Sequence, residues 1–235
     1  MIAGMGQQID NPFPPLEQAD AAGLIYVGGE LSPPWLLAAY RRGIFPWPDG
    51  DAPDGAIPWW SPDPRAVIEW DNFHVPRRLR QTIRSGRFRV SIDEDFTGVV
   101  QGCAQPRRDD AGVWLTEPMQ AAFIELHHLG HAHSVEVWQG DQLAGGIYGL
   151  ALGGYFSAES MFHNARDASK VALARLVDHL RQRGFALLDI QILTEHTQRL
   201  GASEIPRAEF LSRLNESLTI DAALVWEHGT DNFVR

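Results

Sequence analysis

Asp189 and Gln191 interrupt the apolar run LLDIQIL two residues apart. In an extended strand they share one face, with apolar residues on the other. A carboxylate beside a carboxamide can hold or polarise an attacking amine. Periodicity alone accounts for the pair equally well as an edge strand with a polar outer face. Glu159, inside FSAESMF, is a second polar residue in an apolar and aromatic strand. Burying an unpaired carboxylate is costly, so Glu159 must point outward or meet a cation or hydrogen-bond donors. A structural salt bridge is the reading the residues favour, and an incoming protonated amine is the functional one.

Trp35, Trp47, Trp59, Trp60, Trp70 and Trp114 crowd the first half of the chain. On an irregular, proline-rich segment they suit the walls of a site for a nucleobase or an apolar side chain, or they pin a small unit onto a larger one. Other motifs point away from common chemistries. His127 and His131 stand four apart, but His128 occupies the place where a zinc protease has its glutamate. GGIYGLALGG, 145–154, lacks the GK[ST] ending of a phosphate loop. Ser157, Ser160 and Cys103 sit outside the signatures of covalent nucleophiles, so direct transfer without an acyl-enzyme is the simpler expectation.

A net charge of -10 argues against a nucleic-acid partner on average. The run RRLRQTIRSGRFR reverses that locally, placing Arg77, Arg78, Arg80, Arg84, Arg87 and Arg89 together with no acidic residue among them. This is a basic stripe on an acidic protein. Cys103 is the single cysteine, which excludes an intramolecular disulfide and a cysteine-rich zinc site within one chain. The first ten residues have neither a cationic start nor an apolar core, and no apolar run is long enough to span a membrane, so a cytoplasmic location is expected.

These residues need positioning. The first 65 or so are rich in proline and glycine, with a helix expected over 33–42 between Ser32 as cap and Gly43 as stop. Beyond them the pattern is that of a mixed α/β domain. Strands are expected over 66–70, 87–92, 134–138, 142–150, 155–160 and 186–192, with a turn at Gly140-Asp141. Helices are expected over 76–85, 117–129, 168–183, 197–200 and 207–215. Arg77, Arg80 and Arg84 then share one helical face. The order implies one mostly antiparallel sheet with helices packed on it, an α+β fold.

Several segments in order, among them LIYVGGELSPPWLLAAYRRGIFPWP, IPWWSPDPRAVI, GVWLTEPMQAAF, LAGGIYGLALGGYFSAESMF and LLDIQILTEHTQRLGASEIPR, resemble the bacterial leucyl/phenylalanyl-tRNA–protein transferases. The resemblance implies a small loop-rich N-terminal domain, residues 1–65, followed by a GNAT-like (acetyltransferase-like) α/β domain, residues 66–235. It implies transfer of Leu or Phe from Leu-tRNA or Phe-tRNA to proteins beginning with Arg or Lys, directing them to N-end-rule degradation. No cofactor, metal or ATP is implied, because the aminoacyl ester is already activated. By motif, Trp47 and Trp114 would border the terminal adenosine. Phe156, Glu159 and Ser160 would line the donor site, and Met161 and Ile190 its apolar pocket; the family often has cysteine at the Ile190 position. Asp189 and Gln191 match the proposed catalytic pair, with Asp189 either a base or an orienting group. An apolar pocket separates side chains by size only modestly, so some Met transfer is expected. The stripe Arg77, Arg80, Arg84 and Arg87 would hold the acceptor stem through phosphates.

Two rivals remain. An acetyl-coenzyme A N-acyltransferase is disfavoured because NARDASKVAL offers no glycine-rich turn for pyrophosphate. A non-catalytic tRNA-binding module predicts binding without transfer.

Overall fold

In the computed structural model, which describes residues 11–47, 56–106, 115–222 and 224, the chain opens with β1 (Leu24–Val27), α1 (Pro33–Tyr40), β2 (Phe45–Pro46) and β3 (Pro58–Trp60). It continues through β4 (Arg65–Ile68), α2 (Arg77–Arg84), β5 (Arg89–Ile92), α3 (Phe96–Cys103), α4 (Glu117–His128), β6 (Ala132–Gln139) and β7 (Gln142–Leu152). Then follow β8 (Tyr155–His163), α5 (Ala168–Gln182), β9 (Leu187–Gln191), α6 (Glu195–Gln198), β10 (Ala202–Ile205) and α7 (Arg207–Ser217). A three-stranded sheet has the order β1-β3-β2, and a seven-stranded sheet the order β10-β4-β9-β8-β7-β6-β5. All pairs in the large sheet are antiparallel except β8 with β9. The α+β expectation is borne out.

Glycines in β7 explain how helices cover both faces. A Cβ on Gly145 would meet the Cβ of Ala168 on α5 at 2.8 Å, and one on Gly146 would meet Val99 of α3, also at 2.8 Å. Successive strand residues face opposite ways, so the Gly145-Gly146 pair lets α5 approach one side and α3 the other. The glycine-rich segment is thus a central strand. Two apolar layers result. One holds Val171, Leu173 and Leu176 of α5 with Phe156, Leu188 and Ile147; the other holds Phe96, Val99, Phe123 and Leu126 with Tyr148, Leu150 and Tyr155.

The first segment has more order than its composition announces. Short strands in a proline-rich stretch bury little by themselves, and here an aromatic cluster holds them. Phe13 meets Trp59 edge-on with ring centroids 5.0 Å apart, and Trp35 at 5.5 Å. Trp59 is fully buried, with its indole N–H donated to the Gly28 carbonyl at 2.9 Å. Trp59 is therefore core rather than a ligand wall. The same core runs on into the large domain's second layer through Leu36, Tyr40, Ile44 and Phe45.

Most expected elements form within a residue or two of their reading. Unanticipated were α3, β10 and the small sheet. The edge-strand explanation of Asp189 and Gln191 is overturned, because β9 lies inside the sheet between β4 and β8.

Candidate active site

Parallel pairing between β8 and β9 covers Tyr155 with Leu187, Phe156 with Leu188 and Ser157 with Asp189. It then stops, although β8 continues to His163. Both strands are irregular at that point. Opposite β8, the partner of β7 jumps from Ser160 at Tyr148 to Ala158 at Gly149, so Glu159 sits in a bulge without a cross-strand mate. A bulge re-aims its side chain and bends the strand. Gly149 is required there, since a Cβ would lie 2.2 Å from the Ser157 carbonyl oxygen. On β9 the register against β4 shifts between Ala66 and Val67, and Gln191 adopts φ 57°. Left-handed backbone is uncommon for a residue with a side chain.

Asp189 is fully buried and bound on every side. Its Oδ1 accepts from Arg65 Nε at 2.8 Å and from the Gln191 backbone N–H at 2.9 Å. Its Oδ2 accepts from Arg65 Nη2 and from the Tyr155 hydroxyl, each at 2.7 Å. A carboxylate offers about four lone-pair sites, and all are taken. Gln191 spends its amide donors on Ser157 Oγ at 2.8 Å and Glu159 Oε1 at 3.2 Å. That network sets the orientation of the carboxamide and leaves its oxygen as a spare acceptor.

Glu159 is the opposite case. It accepts from Ser157 Oγ at 2.9 Å and from Gln191, and it forms no salt bridge among the described residues. The structural ion pair favoured by the residues alone is absent. Protein surrounds the carboxyl on most sides, yet the residue keeps solvent contact. Desolvation pushes its pKa up to about 7, against the opposing pull of the neighbouring Tyr40 and Ser157 hydroxyls; nearby Asp189 raises it and Arg65 lowers it. Tyr40 is an electrostatic neighbour rather than a bonded one, since its buried hydroxyl makes no hydrogen bond of good geometry. A half-buried glutamate whose carboxyl is pushed up to about 7, beside a carboxamide, can accept a proton from an amine.

The remaining expected residues divide by face. Phe156, Met161 and Ile190 pack together in the α5 layer, on the other side of the strands from Asp189 and Tyr155. Phe156 is buried against Phe185, whereas Met161 and Ile190 are half-buried. Ser160 is half-buried beside Glu159. Trp47, just past β2, is 37% exposed, and its carbonyl accepts from the Trp60 indole at 3.1 Å. Trp114 lies outside the described residues.

Arg77, Arg80, Arg84 and Arg87 are all exposed. Leu79 is the buried anchor of α2, in the layer formed by α5. The side chains of Arg77, Arg78 and Arg84 have no ion pair or hydrogen bond among the described residues, while Arg80 donates to the Val75 carbonyl and Arg89 is paired with Glu94. A cleft of about 450 Å³ lies elsewhere, at the turn between β7 and β8, lined by Arg41, His131, His133 and Gly153 among others. It shares no residue with the network above, and the chemistry follows the network.

In the sequence Arg65 stands only as the end of the proline-rich unit. It is the first residue of β4, fully buried, and the partner that Asp189 requires. The available signal was that a carboxylate inside an apolar strand must find a cation, and Arg65 directly precedes the apolar run Ala66-Val67-Ile68.

Comparison with known proteins decides among the rivals. A family model described as leucyl/phenylalanyl-tRNA protein transferase matches residues 67–215, and one for that family's N-terminal domain matches residues 29–63. The leucyl/phenylalanyl-tRNA–protein transferase of Stutzerimonas stutzeri is 51% identical over 219 residues, covering 92% of this chain and 96% of the relative. That of Anaeromyxobacter sp. strain K is 53% identical over 207 residues, 88% of each. The chain belongs to the leucyl/phenylalanyl-tRNA–protein transferase family. As a member it is a transferase drawing on aminoacyl-tRNA. Among solved structures, a GCN5-related N-acetyltransferase from Kribbella flavida is similar at 12% identity and a TM-score of 0.39, covering 73% of this chain and 60% of that one. No helix among the described residues is long and apolar enough to cross a membrane.

Proposed function

We propose that this chain moves leucine or phenylalanine, and less readily methionine, from aminoacyl-tRNA to the free α-amine of proteins beginning with arginine or lysine. Such transfer would mark the acceptor for N-end-rule degradation, in the cytoplasm where aminoacyl-tRNA is found. The observation that carries the mechanism is Glu159: a half-buried residue with no ion pair among the described residues, its carboxyl pushed up to about 7 and bonded to Gln191, where β8 and β9 part company.

In this reading the acceptor amine attacks the ester carbonyl carbon, and the bond from that carbon to the ribose oxygen breaks as the peptide bond forms. Glu159 takes the proton the amine sheds and returns one to the departing ribose oxygen, so no net proton is consumed. Gln191 orients the amine through its spare carboxamide oxygen. Asp189, with its lone pairs saturated, positions rather than accepts. The side chain of the donor passes between the strands to Phe156, Met161 and Ile190, whose apolar surface discriminates by size. Ser160 lies beside that passage, and Trp47 and Trp114 border the adenosine. Arg77, Arg80, Arg84 and Arg87 neutralise acceptor-stem phosphates without reading sequence. Residues 1–65 and 66–235 form the two domains, a division supported by family models that meet between residues 63 and 67.

The test is transfer of labelled Phe from Phe-tRNA to peptides differing only in their first residue. Label should enter peptides beginning with Arg or Lys and not those beginning with Ala or Asp. Equal labelling of all four would overturn the acceptor assignment.

A further inference from the structure

Arg65 takes no part in the transfer as set out above, yet it is the most heavily engaged side chain in the neighbourhood. Its guanidinium is fully buried. It forks onto both oxygens of Asp189, donates from Nη1 to the Gly43 carbonyl at 3.0 Å, and lies between two rings, 4.7 Å from the Phe45 centroid and 4.6 Å from that of Phe210. Each partner belongs to a different part of the chain. Gly43 and Phe45 lead into Trp47, Phe210 is on α7, and Asp189 is on β9 two residues before Gln191.

A buried ion pair is a poor way to gain stability, because well-packed apolar residues of similar volume often do as well. Its geometry has more to say. Asp189, fixed by the fork, accepts the backbone N–H of Gln191, the residue held at φ 57°. Gln191 in turn reaches Ser157 and Glu159 with its amide. An unbroken series of hydrogen bonds therefore runs from the Gly43 carbonyl through Arg65, Asp189 and Gln191 to Glu159. Left-handed backbone persists only where its surroundings over-determine it, and this series does so.

We infer that Arg65 is a positioning residue for the transfer reaction: through Asp189 it holds Gln191 in the left-handed turn that sets its carboxamide against Glu159. The inference rests on the reading of Gln191 and Glu159 as the groups that meet the amine. Lysine cannot replace Arg65 here, since a single ammonium lacks the planar fork that grips both carboxylate oxygens while a third N–H serves Gly43.

Two variants test it, with Phe-tRNA as donor and an N-terminal Arg peptide as acceptor. The first is Arg65→Lys. The second, Arg65→Met combined with Asp189→Leu, removes both charges together and leaves no buried ion uncompensated. In the double variant the thermal midpoint should stay within a few degrees of wild type, kcat should fall by about 100-fold, and KM for Phe-tRNA should change by less than about threefold. Arg65→Lys should lose at least about tenfold in kcat with the same constancy of KM. Transfer by either folded variant within threefold of wild type would reduce Arg65 to a structural role, as would collapse of the fold in the charge-free double variant. Glu159→Gln, assayed alongside, separates this claim from the one beneath it. Wild-type rates from that variant would remove Glu159 as proton acceptor and leave the Arg65 result standing, whereas an inactive Glu159→Gln with unimpaired Arg65 variants would do the reverse.

Discussion

Asp189 on β9 and Glu159 on β8 belong to adjacent strands and both meet Gln191, yet their surroundings differ completely. Asp189 has a guanidinium fork, a phenol and a backbone amide, and no access to solvent. Glu159 has a hydroxyl and a carboxamide, no ion pair among the described residues, and is only half-buried as a residue. In the proposed mechanism two carboxylates of one network therefore divide the labour: the satisfied one fixes geometry and the other takes the proton. From the residues alone the structural ion pair is expected at Glu159, yet it is Asp189 that has one, with Arg65.

The sharpest way to break that contrast is to take away one side of the saturated pair. Asp189→Ala leaves the Arg65 guanidinium buried without its counter-ion and should cost about 3–5 kcal/mol of unfolding free energy, read by urea denaturation. Glu159→Gln should behave in the opposite way. It keeps the fold, because glutamine fills the same volume, while the rate of transfer from bound Phe-tRNA falls by about 100-fold or more.

How much of this was visible beforehand depends on the range of the interaction. Long elements with strong periodicity, such as α5 and β6 to β8, were legible because their pattern is local. α3 was not: FTGVVQGC contains two glycines and two β-branched valines, and it is helical because Asp95 caps it and its apolar face packs on β7. The polar interruptions at Asp189, Gln191 and Glu159 were also legible as chemistry. Arg65 was not, since it lies 124 residues from Asp189 in the chain. Nor could composition reveal the bulge that leaves Glu159 unpaired across the strand, which depends on how β7 and β8 slip past one another.

Smaller effects sharpen the comparison. Reversing Arg80 and Arg84 to Glu, both exposed on α2 and neither bonded to either carboxylate, should weaken tRNA binding without altering the rate from bound substrate. It should also lower the slope of log affinity against log salt by about 2, measured by filter binding across a salt series. An unchanged slope would take α2 out of the interface. Ser157→Ala removes one hydrogen bond to Glu159 and should shift the pH dependence of transfer alkaline, because that bond favours the charged form. The cost in stability should be about 1 kcal/mol, read from the same denaturation curves.

The pH dependence of the chemical step tests the division of labour most directly. Only the ionised form of Glu159 can take a proton, and burial raises its pKa to about 7. The single-turnover rate of Phe transfer should therefore fall with acid below that point by about tenfold per pH unit more than protonation of the acceptor's own α-amine, at about pH 8, imposes. In Glu159→Gln, at a much lower rate, the limb at about 7 should vanish and only that of the amine remain. Retention of the limb at the same midpoint in the glutamine variant would contradict the account, and would return the proton to another group.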